Sequence, residues 1–168
     1  MAIAIFSRVL LGAPAAASAQ APAPRGLDMG LVQFFSGDWK GEGKFANGRP
    51  ISATVSFHLS LDSAWLVCEH RDVPPNVYKA TLYWGVDAAT GKFFAYAFDN
   101  FHGHREFASP GWAEGKLVLT RQAEAPGIVY YEHFIYEKTG EAAFRMSYET
   151  SRDGKTWQLG DSLEFTRK

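Results

Sequence analysis

About ten short runs of alternating residues, each closed by a turn-forming pair, constrain the fold of this chain more than any other feature. The first begins in Phe34-Phe35-Ser36-Gly37-Asp38-Trp39-Lys40-Gly41-Glu42-Gly43. Strands are predicted over 38–46, 51–60, 64–71, 78–86, 92–100, 104–109, 115–122, 128–137, 141–150 and 156–166. Even spacing of this kind belongs to antiparallel β-proteins, and closure into a barrel removes the exposed edges such a sheet would otherwise leave. Asn47-Gly48 and Asp153-Gly154 suit hairpins that need positive φ. Ala89-Thr90-Gly91, Glu114-Gly115, Pro126-Gly127 and Thr139-Gly140 place glycine where the chain must reverse, so successive strands are antiparallel neighbours. Leu27, Leu31, Phe34 and Phe35 recur at helical intervals and predict a short helix that plugs one barrel end. The expected fold is all-β: a ten-stranded up-and-down barrel over 27–168.

With 168 residues, 46% hydrophobic and 21% charged, the chain has enough apolar surface for the core of one domain. Its 17 basic and 18 acidic residues leave a net charge of −1 without long same-sign runs, so no nucleic-acid partner is expected. Cys68 is the single cysteine, which excludes an internal disulfide and a thiolate zinc site and leaves a small core hydrophobe. No apolar run is long enough to serve as a transmembrane segment. Residues 1–19 read as a signal peptide with Ala17-Ser18-Ala19 as the small-x-small cleavage site, followed by an extended leader over 20–26. The expected location is therefore periplasmic or secreted. The competing reading is a cytoplasmic protein with an Ala/Pro tail.

Gly37-x-Trp39-x-Gly41-x-Gly43, Tyr83-Trp84-Gly85-Val86-Asp87 with Thr90-Gly91-Lys92, Asp99-Asn100, Gly111-Trp112 and Ser151-Arg152-Asp153-Gly154-Lys155-Thr156-Trp157 together resemble the DUF1579 group of calycin-like proteins. The resemblance covers Leu31 to Lys168 and implies a lipocalin-like or fatty-acid-binding-protein-like barrel. The Gly-x-Trp-x-Gly start also resembles nitrobindin, whose barrel holds haem through a histidine near the C-terminus. No histidine follows His133 in this chain, so haem has no axial donor at the matching place.

Binding is the first functional expectation: an apolar or aromatic small molecule held inside the barrel, with no cofactor and no metal. Trp39 and Phe57 would shape the closed end. Tyr83, Tyr96, Phe98 and Tyr131 would line the cavity, with His70, His133 and Asn100 as polar contacts. Should Tyr131 and His133 face outward, the pocket falls to the opposite parity around Tyr130, Glu132 and Phe134. The alternative is a cofactor-independent lyase, cyclase or isomerase, with His133 or His102 as base and Tyr131 or Tyr96 as acid or oxyanion donor. A third class, a structural envelope protein, would have its interior filled solid.

His102, His104 and Glu106 would share one face if extended and could hold a divalent metal, but Gly103 invites a bend, and a polar loop at the barrel mouth is the simpler reading. No Gly-x-Ser-x-Gly elbow and no phosphate-cradling glycine loop is present. The oligomeric state stays open, a homodimer being compatible with the chain.

Overall fold

A computed structural model describes residues 26–168. The expected signal peptide and most of the leader lie outside them. The helix α1 (Met29–Phe35) precedes ten strands. These are β1 (Gly37–Phe45), β2 (Pro50–Ser60), β3 (Trp65–Asp72), β4 (Lys79–Val86), β5 (Phe93–Asp99), β6 (His104–Ser109), β7 (Lys116–Ala125), β8 (Ile128–Gly140), β9 (Ala143–Ser151) and β10 (Trp157–Arg167). Each strand pairs antiparallel with its neighbour in sequence, and β1 pairs β10 to close the barrel. Among the described residues no helix is long and apolar enough to cross a membrane.

Gly48, Gly91, Gly115, Gly127 and Gly154 all adopt positive φ at the predicted reversals. Thr139-Gly140 is the exception. There β8 runs on to Gly140 through a register shift between Lys138 and Gly140, and the reversal falls on Glu141-Ala142.

The helix seals one end because its apolar face has no other place to go. Asp28 caps it by accepting a bond of 2.8 Å from Leu31 N, and Leu31, Val32 and Phe35 are buried. Phe35 packs among Phe57, Trp84 and Phe144 with ring centroids 5.0–5.2 Å apart. Trp39 is fully buried beside Phe144, and its indole N–H donates to Phe35 O at 2.7 Å. The glycines of β1 are close-approach residues: a Cβ at Gly41 would stand 2.5 Å from the Phe165 ring, and one at Gly43 would stand 1.9 Å from Ser162 O. The Trp39-x-Gly41-x-Gly43 pattern thus admits the bulk of β10. Arg167 locks this seam, donating to Phe34 O and Ser36 O with its guanidinium 4.2 Å above the Trp39 ring.

The β6–β7 seam is different. Its two strands register only at Ala108↔Thr120. The ladder is replaced there by side-chain charges, with Arg105 of β6 and Arg121 of β7 both reaching Glu132 of β8.

Candidate functional site

Inward positions change character along several strands. Toward the helix they are large rings, whereas toward the far end smaller or polar residues join them: Ala80 and Leu82 on β4, Ala97 and Asp99 on β5, Arg105 on β6, Glu132 on β8 and Asp161 on β10. The space left beside these small residues is a cavity of about 280 Å³ with a floor that includes Leu82, Ala97, Tyr136, Met146 and Leu163. That volume lies near the lower end of the range for small-molecule sites.

Two polar groupings frame the cavity. In the first, His70 Nε2 donates to Asp72 Oδ1 at 2.8 Å, and both side chains are largely buried. Asp161 belongs to the same grouping. Burial raises its pKa to about 6, a rise that His70 opposes and Asp72 assists. Its Oδ1 is buried without a hydrogen-bond partner among the described residues.

In the second grouping, Arg105 Nη2 donates to Tyr78 Oη at 2.7 Å and to Asp99 Oδ2 at 3.1 Å. Glu132, only 3% exposed, accepts from Tyr148 Oη at 2.7 Å and from Arg121, with Arg105 Nη1 3.7 Å away. Burial would lower the Arg105 pKa, but attraction to Tyr78, Glu132 and Asp99 outweighs it and the net direction is upward. The guanidinium stays charged, although its Nε is buried without a partner among the described residues. Burial pushes the Tyr78, Tyr136 and Tyr148 phenols up, so all three face the cavity as neutral hydroxyls at neutral pH.

The expected site residues divide by strand parity. Phe57 is buried in the aromatic closed end and His70 lines the cavity. Tyr83, Tyr96 and Phe98 do not line it; they stand on the outer face with Trp65 and Phe94, where Tyr96 is 37% and Phe98 51% exposed. The reason is room: β5 turns Ala95 and Ala97 inward, making space for Trp84 and for the cavity. Tyr131 and His133 also face outward. His133 stacks on Trp157 at 3.3 Å between ring centroids, and Tyr131 lies against Gly154. Burial against Trp157 lowers the His133 pKa despite Glu149 at 3.8 Å. The cavity therefore takes the other parity of β8, through Phe134 and the Glu132 network.

Asn100 has a positioning role instead of a lining one. Its Oδ1 accepts from Lys79 N at 2.7 Å and its Nδ2 donates to Val77 O at 3.0 Å, which fixes the loop carrying Tyr78. His102 occupies a left-handed turn position with φ 65° and is exposed, while His104 and Glu106 are exposed at the start of β6. Among the described residues no three His, Cys, Asp or Glu side chains are grouped to hold a metal ion. Cys68 is buried, and burial raises its pKa, so the thiol stays protonated.

Sequence reasoning missed Asp72, Tyr78, Arg105, Tyr148 and Asp161. For Asp72, Arg105 and Tyr148 the signal was parity shared with the buried His70, Phe107 and Met146 of the same strands; Tyr78 lies before β4, and a register shift precedes Asp161.

No family model matches the chain, and no curated protein matches it. Among solved structures it is similar to a de novo designed fluorescence-activating β-barrel. That similarity has a TM-score of 0.44 and 10% identity, over 82% of this chain and 97% of the designed one.

Proposed function

We propose that the barrel binds a small, largely apolar molecule in the interior cavity. The observation that carries this reading is the change in packing along the barrel: a filled aromatic end gives way to a 280 Å³ space with an apolar floor and a few converging polar groups. A structural envelope protein would have no reason to leave buried polar atoms unpaired beside such a space. The test is a native mass spectrum of the protein from its own host, set beside Ala97→Phe, which fills the cavity. A retained small molecule that the variant loses supports the reading. Wild-type protein that carries nothing and takes up no 1-methylnaphthalene overturns it.

A second reading rests on the His70–Asp72 pair. An imidazole oriented by a carboxylate, next to a carboxyl group that titrates near neutrality, could move a proton on a bound molecule without a cofactor. In that reading His70 is the base and Asp161 the acid, replacing His133, Tyr131, His102 and Tyr96. His70→Gln would then cut turnover by about a hundredfold while leaving ligand affinity within a few-fold.

Two further parts of the proposal rest on sequence alone. The order of the Gly and Trp motifs supports membership of the DUF1579 group, and Ala17-Ser18-Ala19 supports export to the periplasm or beyond. N-terminal sequencing of the cell-associated protein decides the latter, a start at Gln20 supporting it and a start at Met1 or Ala2 refuting it.

A further inference from the structure

The charged groups of the cavity wall fall on two sides. Asp72 and Asp161 sit together on one side with His70, and the latter two carboxyl and imidazole groups face each other across β3 and β10. On the other side Arg105, the cation that a carboxylate ligand would seek, is already engaged by Tyr78, Asp99 and Glu132. Glu132 in turn is shared with Arg121 and Tyr148. An incoming anion would compete for a guanidinium whose charge is spent and would approach Asp161 and Asp72 besides. An incoming donor meets the opposite situation, because Asp161 Oδ1 is a buried acceptor without a donor among the described residues.

Building on the interior-binding reading above, we propose that the barrel selects an apolar, ring-sized molecule bearing an amine head, which docks as a hydrogen-bonded cation on Asp161, and that it rejects carboxylate-headed lipids of the same size.

The titratable and charged groups around Asp161 are consistent with this assignment. His70 and Asp72 on β3 face it, and the Tyr136 phenol on β8 is near enough to feel its charge. A cation placed on Asp161 relieves the repulsion from Asp72, and at pH 7.5 Asp161 is ionised to receive it. The remaining orphan, Arg105 Nε, can donate a single hydrogen bond to a ring substituent such as a hydroxyl or carbonyl oxygen. The small volume sets the size: the space suits one or two fused rings.

Three probes of one shape test the proposal by calorimetry at pH 7.5: 1-naphthylmethylamine, 1-methylnaphthalene and 1-naphthoate. The amine is expected to bind about tenfold or more tightly than the hydrocarbon, as a hydrogen bond to a charged group provides, and the carboxylate more weakly than either. Asp161→Asn should bring the amine to within about threefold of the hydrocarbon. Naphthoate binding as tightly as the amine, or an order unchanged in Asp161→Asn, overturns the amine assignment while leaving interior binding in place. Failure of all three probes to bind, or binding of all three unaltered in Ala97→Phe, overturns both readings. The order in the wild-type protein is informative even if a variant folds poorly.

Discussion

At the helix end of the barrel the interior is solid: Phe35, Trp39, Trp84, Phe144 and Phe165 are all fully buried, and they meet mostly edge to face. At the opposite end the same strands turn alanine, carboxylates and arginine inward around a cavity. Each arrangement has its own physics. Aromatic packing gains from dispersion and area removed from water, with few polar groups to satisfy, although Trp84 Nε1 is buried there without a partner among the described residues. The polar end must offset the desolvation of several charges through a connected network, and it leaves Asp161 Oδ1 and Arg105 Nε unpaired. One end therefore supplies stability, and the other carries the cost of buried charge beside an open space.

Substitutions at the two ends should separate these roles. The largest effect is expected from Trp39→Ala, which removes a fully buried ring and its bond to Phe35 O and should lower unfolding free energy by about 3–5 kcal/mol in urea titration. An unchanged midpoint would mean that the closed end is not the stabilising one.

Asp161 gives the next effect, and its sign is opposite to that of a salt-bridged carboxylate. Its folded pKa of about 6 lies above the ordinary value near ~4, so the folded state binds the proton more tightly than the unfolded chain does. Stability from this group is fully present below about pH 4 and is lost as pH rises through 6. Asp161→Asn removes that loss, so its stability advantage over wild type should grow by roughly 2–3 kcal/mol between pH 4 and pH 7. A constant difference across the window would show that Asp161 is well solvated. Glu132→Gln comes third. It leaves Arg105 and Arg121 without their shared carboxylate and should cost about 1–3 kcal/mol in the same titration at pH 7. The smallest effect belongs to His133→Ala on the outer face, where stability should change by less than about 1 kcal/mol and affinity for a cavity ligand should not change. Loss of binding in that variant would place the site outside the barrel.

Strand number, order and most turns were legible because alternation and glycine placement are local signals. Parity was not legible in β5 and β8. In β5 the large rings Phe94, Tyr96 and Phe98 alternate with Ala95, Ala97 and Asp99, and bulk alone argues for putting the rings inside. The interior of a small barrel is limited in volume, however, and the rings of Trp84 and Phe107 already occupy it. The rings of β5 instead pack outside against Trp65, whose own ring lies where a side chain on Gly85 would stand. In β8, Glu132 has the appearance of a surface charge and His133 of a pocket residue. Their places are exchanged because the partners of Glu132, namely Arg105, Arg121 and Tyr148, come from three other strands, and no local pattern announces a contact of that range. His70 was recognisable because it interrupts an apolar face. Asp161 was not, since the register shift between Leu159 and Asp161 breaks the alternation that would have placed it.

The seam between β1 and β10, with Arg167 clasping the carbonyls of Phe34 and Ser36, also bears on how the chain is made. The clasp joins groups 131 and 133 residues apart. At ordinary rates of translation β10 leaves the ribosome on the order of ten seconds after β1. During that interval the nascent chain holds the apolar inner faces of nine strands and a helix with no end to seal. Until then Gly41 has no Phe165 ring to accommodate and Trp39 has no Arg167 guanidinium above it. Until the last strand pairs, the edge of β1 has no partner, so closure of this barrel is necessarily a late step in its folding.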